Sequence, residues 1–189
     1  AGRSSAAKAG SIGLPFAAVS ARIVDAHGHD VADGETGELW VRGPSVTAGY
    51  WQRADLTAAA FHDGWFKTGD AARRDADGFY FLVDRMKDMF ISGGENVFPA
   101  QVEAAIAMLD DVAECAVIGI ADERWGEVGH AAIIPVAGRT VLAEHVQAHC
   151  RAQLAAFKVP RRVTMVDHIP RTASGKVQKH LLKAALAGE

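Results

Sequence analysis

At 189 residues and 49% hydrophobic, the chain can hold one large domain or two small ones with a buried core. No run approaches the roughly 18 consecutive apolar residues of a membrane-spanning helix, and the N-terminus lacks a signal peptide's charged-then-apolar layout, so a transmembrane segment and export are not expected. The net charge of −3 divides into −3 over residues 1–84, −6 over 85–150 and +6 over 151–189. The basic end predicts either a local anion partner or an ordinary solvated face. Nucleic acid is not expected as a partner, because the whole chain is acidic and no aromatic residues interleave with the basic ones. Two cysteines in apolar surroundings, Cys115 and Cys150, suggest neither a disulfide framework nor a zinc site. A cytoplasmic location is expected.

Residues 1–18 are small and Gly-rich and begin without an initiator methionine, as if taken from the middle of a longer protein. Val19–Val24 alternates as a half-buried strand, and Glu38–Gly43 reads as a second, joined to it by a polar hairpin-like connection. Asp55–Phe61 is expected to be a short helix. Phe79–Val83 is expected to be an apolar strand after the turn Asp77-Gly78. From Asp88 the texture changes. Met89–Ile91 suggests a short strand, and Pro99–Leu109 has the Pro start and apolar period of a helix. Val112–Ala121 and Val128–Val136 read as buried strands, Val141–Leu154 as a helix, Val163–Val166 as a strand and Val177–Leu186 as a final helix. The expected fold class is α+β. Its parts are a β-rich region over 1–84, a hinge at 85–88, and a small α+β domain over 89–189. That domain is expected to have a mostly antiparallel central sheet and flanking helices.

Three segments could carry chemistry. In Trp65-Phe66-Lys67-Thr68-Gly69-Asp70, an aspartate after a turn-forming glycine can accept two hydrogen bonds from a vicinal diol such as a ribose, or can simply cap the turn. In Asp84–Val97, four charged residues precede a strand, and Gly93-Gly94 then exposes backbone amides to a ligand or forms only a hairpin turn. In Pro170-Arg171-Thr172-Ala173-Ser174-Gly175-Lys176, small residues lead to a lysine that can swing onto a phosphate, or the loop merely leads into a helix. A P-loop is excluded: Pro170 stands where that loop needs its first glycine, and Val177 replaces its Ser or Thr. His27 and His29, and His145 and His149, are spaced to share a metal ion, but no carboxylate or cysteine cluster completes a site, so no metal centre is expected.

In their order and spacing, the three strings resemble the C-terminal motifs of the adenylate-forming superfamily, which includes acyl-CoA synthetases, firefly luciferase and the adenylation domains of peptide synthetases. Gly10-Ser11-Ile12-Gly13 with Pro15, Gly37-Glu38-Leu39 with Gly43, and Gly49-Tyr50-Trp51 match the stretch before the TGD string. The resemblance thus runs over nearly the whole chain. Residues 83–103, VDRMKDMFISGGENVFPAQVE, look like the medium- and long-chain acyl-CoA synthetase branch. Gln101 departs from the usual glutamate, but Glu103 is kept.

The resemblance implies an AMP-forming ligase that activates a fatty or related hydrophobic carboxylate with ATP and transfers the acyl group to CoA. It makes 1–84 the end of a large N-terminal domain and 89–189 a lid. Asp70 and Arg85 would contact the nucleotide at its ribose, and Lys87 would be the hinge about which the lid turns. Ser92, Gly93 and Gly94 would line the CoA pantetheine tunnel, and Lys176 would stabilise the adenylation transition state. Mg2+ would be held mainly by the N-terminal part, which also carries the phosphate loop and acyl pocket. This chain shows neither, so it is expected to be inactive without its missing N-terminal domain. The alternatives are an acyl-AMP ligase that loads a carrier-protein thiol and a non-catalytic partner-binding module.

Overall fold

Ile23 and Val24 near the end of one strand, and Leu39 and Trp40 in the next, are all buried, and Ile23 lies directly opposite Leu39. β1 (Ser20–Val24) pairs antiparallel with β2 (Thr36–Arg42) from Ser20 opposite Arg42 to Val24 opposite Glu38. The computed structural model describes residues 8–186, so the Gly-rich start expected over 1–18 lies partly outside the described residues. Contacts divide the chain into two compact units, Ala1–Lys87 and Asp88–Glu189.

In the first unit, α1 (Ala54–Ala60) leads into β3 (Phe61–His62). A two-residue Asp63-Gly64 turn, with φ of 47° and 76°, reverses the chain into β4 (Trp65–Arg74). β4 is bordered by β2, β3 and β5 (Tyr80–Arg85), all antiparallel to it. Ile23, Leu39, Ala72 and Tyr80 form the buried core of this sheet. The Tyr80 hydroxyl donates to the Ala21 carbonyl at 2.8 Å, which satisfies its one polar atom. The sequence missed β3 and β4. Phe61 leaves the expected helix to pair with Phe66, their rings 5.3 Å apart. β4 carries a glycine and an aspartate in mid-strand, which read locally as turn signals.

In the second unit, β6 (Phe90–Ser92) and β7 (Glu95–Val97) form a hairpin, and α2 (Pro99–Ile106) follows with Pro99 at its start. β8 (Val112–Asp122) and β9 (Gly126–Pro135) form the long central pair. α3 (Ala143–Gln153), β10 (Arg162–Met165) and α4 (Lys179–Leu186) complete the unit. β10 runs parallel to β9, and every other pairing is antiparallel. The fold class is α+β.

The central strands are apolar at consecutive positions because both faces of the sheet are covered. Val117, Ala131 and Ile133 face one way, onto Val102 and Ile106 of α2 and Val146 and Cys150 of α3. Ala116, Ile118 and Ala132 face the other, onto Leu182 and Leu186 of α4. Each helix offers its buried residues at three- and four-residue spacing, as a single-sided helix must.

The expected helix bounds shift by one to three residues: α1 runs Ala54–Ala60 against the expected Asp55–Phe61, and α3 runs Ala143–Gln153 against Val141–Leu154. α2 stops at Ile106, where i→i+3 bonds from Met108 to Ala105 and from Leu109 to Ile106 tighten the last turn. α4 starts at Lys179, because Val177 is bridged to Arg171 instead. β7 was also missed. It is three residues long, and only Val97 in it is buried.

Cys115 on β8 is half-buried and Cys150 on α3 is fully buried. Burial, with the Glu103 carboxylate nearby, pushes the Cys115 thiol from 9.0 up to about 12. The unfolded chain ionises this thiol at lower pH than the folded chain does. Its contribution to stability is therefore complete below pH 9 and declines as pH rises from there towards 12. Since the thiolate is the nucleophile, an aromatic disulfide reagent at pH 8 is expected to label Cys115 slowly in the folded protein and promptly in urea. Prompt labelling of the folded protein would contradict the buried, protonated thiol.

Candidate active site

The TGD string is a bulge. Glu38 lies opposite Ala71 and Trp40 opposite Lys67, so Thr68, Gly69 and Asp70 together face the single residue Leu39. The Thr68 hydroxyl donates to the Leu39 carbonyl at 2.7 Å and accepts the Asp70 amide at 3.1 Å. Gly69 takes φ +71°, a conformation that disfavours any residue with a Cβ, and its amide donates to Glu38 Oε1 at 3.1 Å. The other Glu38 oxygen accepts the Trp40 indole N–H at 2.9 Å. Glu38 therefore braces the bulge, a role the sequence did not suggest. The bulge sets Asp70 across from Arg85 on β5, with Nη1 to Oδ1 at 2.8 Å. Asp70 is a quarter exposed and Arg85 half exposed, so the pair remains open to a polar ligand.

Lys87 is exposed within a single 3-10 turn, Met86–Asp88, directly after β5. Beyond it, Gly93 and Gly94 form the tip of the β6–β7 hairpin with φ of 61° and 87°, the pair that a two-residue turn of this hand requires. Ser92 is buried at the base of the tip, and both glycines are exposed.

The underside of the tip is a tryptophan. The Gly93 amide donates to the Trp125 carbonyl at 2.9 Å, and a Cβ added at Gly93 would lie 2.8 Å from Trp125 Cε3. Arg124 and Arg161 sit at 4.9 and 5.2 Å from the Trp125 ring centroid. Nothing in the sequence marked Trp125 as a site residue, and Arg161 stood out only as one of the cations of the basic end. The only local signal was an aromatic beside an arginine in a turn, and nothing in the order of residues links positions 93, 125 and 161.

Lys176 lies on a second exposed hairpin. Arg171 bridges Val177, the Thr172 amide donates to the Lys176 carbonyl at 2.8 Å, and the Gly175 amide donates to the Thr172 carbonyl at 2.9 Å. The Lys176 amide donates to the Thr172 hydroxyl at 3.2 Å. Among the described residues its ammonium has no hydrogen-bond or ion-pair partner. Its neighbours in sequence are committed: Arg171 to Glu114 at 2.7 Å and Lys179 to Glu103 at 2.9 Å. An ammonium with no partner among the described residues, on an exposed and internally bonded hairpin, is available to an anion.

One histidine of each pair has another partner. The His149 ring bonds to the Ala105 carbonyl at 2.9 Å, and His29 faces Asp25 at 3.5 Å. Among the described residues, no group of three or more His, Cys, Asp or Glu could hold a metal ion. None of their helices is long and apolar enough to cross a membrane.

Comparison with known proteins places these features in a family. The AMP-binding enzyme C-terminal domain matches residues 101–176, and the AMP-binding enzyme family matches residues 2–51. The chain is 46% identical, over 95% of its length, to an indoleacetate–CoA ligase of Aromatoleum aromaticum. It superposes with TM-score 0.87 and 37% identity, over 95% of its length, on an o-succinylbenzoate CoA synthetase from Bacillus subtilis in complex with its acyl-adenylate intermediate. An amide bond synthetase from Marinactinospora thermotolerans matches 93% of the chain at TM-score 0.85 and 36% identity. The chain spans only 35% of the first of these proteins and 36% of each of the other two.

Proposed function

Because this chain belongs to the AMP-binding enzymes and carries their C-terminal domain over residues 101–176, we propose that the full-length protein containing it is an acid–CoA ligase. It would convert a carboxylic acid and ATP to an acyl-adenylate and pyrophosphate, then pass the acyl group to the thiol of CoA and release AMP. The observation that carries this proposal is the Lys176 ammonium, which has no partner among the described residues, on an exposed arm of its hairpin. A carboxylate attacking an α-phosphate brings two anions together, and a cation held where they meet lowers that barrier.

The other residues divide the remaining work. Asp70 would accept hydrogen bonds from the ribose hydroxyls, and Arg85, held against it at 2.8 Å, would orient it. The exposed Gly93-Gly94 tip would let the pantetheine arm pass close to the backbone. Arg124 and Arg161, whose guanidiniums lie 4.9 and 5.2 Å from the Trp125 ring centroid, would offer positive charge beside the tip to the nucleotide end of CoA. Lys87, in the turn where the two units meet along the chain, would be the hinge. The described residues lack the carboxylate cluster of a Mg2+ centre, so no step is assigned to that ion here.

For the acid, a hydrophobic carboxylate is proposed. The fatty-acid expectation finds no support in the relatives named above, two of which specify indoleacetate and o-succinylbenzoate. An aromatic or cyclic acid is therefore the better first choice. A second reading, in which an amine and not a thiol takes the acyl group, is favoured by the likeness to the amide bond synthetase.

The test is product analysis with the full-length protein, ATP and a panel of aryl, cyclic and fatty acids. AMP, pyrophosphate and an acyl-CoA are expected, with free CoA consumed. ADP and phosphate as products would end the proposal. AMP formation with CoA untouched, but with a carrier-protein thiol or an amine acylated, would shift it to one of the alternative acceptors.

A further inference from the structure

The Lys176 hairpin is exposed from Arg171 to Lys176 and buries no side chain over those residues. Its backbone bonds give it shape, and Val177 at its stem packs against the buried cluster beneath α4. Arg171 ties the exposed arm beyond that stem in two directions. One guanidinium nitrogen, Nη1, donates to the Gly175 carbonyl at 2.7 Å, inside the hairpin. The other, Nη2, donates to Glu114 Oε2 at 2.7 Å, on strand β8. The two contacts use both arms of one planar fork, so the hairpin and the strand are held at a set angle to each other.

We propose that Arg171 is a positioning residue for Lys176, resting on the assignment of Lys176 as the adenylation lysine. Gly175 and Lys176 share a rigid peptide plane, so fixing the Gly175 carbonyl also fixes the Lys176 amide and the axis about which its side chain leaves the backbone. Without the fork, the hairpin keeps its backbone bonds, Thr172 to Lys176 and Gly175 to Thr172, but loses the Gly175 tie and its link to β8, and its exposed arm swings on the stem. A misplacement of about 1 Å at a reacting centre costs on the order of 10²-fold in rate. The Arg171–Glu114 pair is nearly half exposed on both sides, so it contributes little to the stability of the fold. That separates a positioning role from a structural one.

The experiment uses the full-length protein and measures the two half-reactions apart, with Arg171→Ala, Glu114→Ala, the double variant and a Lys176→Ala control. Arg171→Ala is expected to lower kcat of acyl-adenylate formation about 10- to 100-fold. KM for ATP and acid, thioester formation from supplied acyl-adenylate, and the melting temperature should stay close to those of the parent. Glu114→Ala, which leaves Arg171 in place, is expected to lose several-fold in the same step and to add nothing in the Arg171→Ala background. A raised KM for ATP at unchanged kcat would make Arg171 a direct ATP ligand and overturn the proposal. So would equal loss in both half-reactions, or additive effects of the two substitutions. If Lys176→Ala itself leaves adenylation intact, the assignment beneath the proposal falls. If Lys176→Ala cripples adenylation while Arg171→Ala does not, only the positioning role falls.

Discussion

Replacing Lys176 with alanine in the full-length protein is expected to slow acyl-adenylate formation about 10²- to 10³-fold, the usual cost of removing one preorganised charge-stabilising donor. Thioester formation from supplied acyl-adenylate should change little, because no second anion must then be brought to the α-phosphate. The geometry favours a large effect. The ammonium is not neutralised by a carboxylate among the described residues, whereas Arg171 and Lys179 nearby are. No other cation is therefore free on the same hairpin to take its place. Lys176 is also exposed, so its loss should leave the melting temperature close to that of the parent. Single-turnover measurement of each half-reaction checks the expectation, and an equal loss in both would remove Lys176 from the adenylation step.

The mirror-image loss is expected at the other hairpin. Gly93→Ala should lower acyl transfer to CoA about 10- to 100-fold while adenylation stays within about twofold. Two effects combine there. Alanine at φ +61° is held in the left-handed region, at a cost of roughly 1–2 kcal/mol. Its Cβ would also lie 2.8 Å from the Trp125 ring, so the ring or the hairpin tip must shift. Gly94→Ala isolates the first effect, because φ there is +87° but nothing lies within 4 Å of an added Cβ. Acyl transfer should suffer less in Gly94→Ala than in Gly93→Ala. Equal losses in the two variants would remove Trp125 from the CoA-binding surface.

Both predictions rest on strings that the order of residues makes plain. Lys176 and Gly93-Gly94 stand out as small-residue runs ending in, or exposing, a group suited to an anion. The paired β8–β9 core is equally legible, since apolar runs bounded by turn residues mark strands buried on both faces. β4 is not legible. Its Gly69 and Asp70 are turn residues in any local sense, and only the pairing of Thr68 with Leu39, 29 positions earlier, turns them into a bulge. The start of α4 is misplaced for a similar reason. Val177 has no local reason to leave the helix, and its bridge to Arg171 takes it into the hairpin.

The sequence alone determined the α+β class and most of its elements, and it marked candidate residues for chemistry, because these follow from side-chain type and from periods of two and 3.6 residues. Only the tertiary structure decided how those residues are held. Glu38 braces the bulge from 31 positions away, Trp125 underlies Gly93, and Arg171 ties its hairpin to Glu114 across 57 positions. Such contacts depend on strand register and on where the chain returns in space, and no local pattern of residues encodes either.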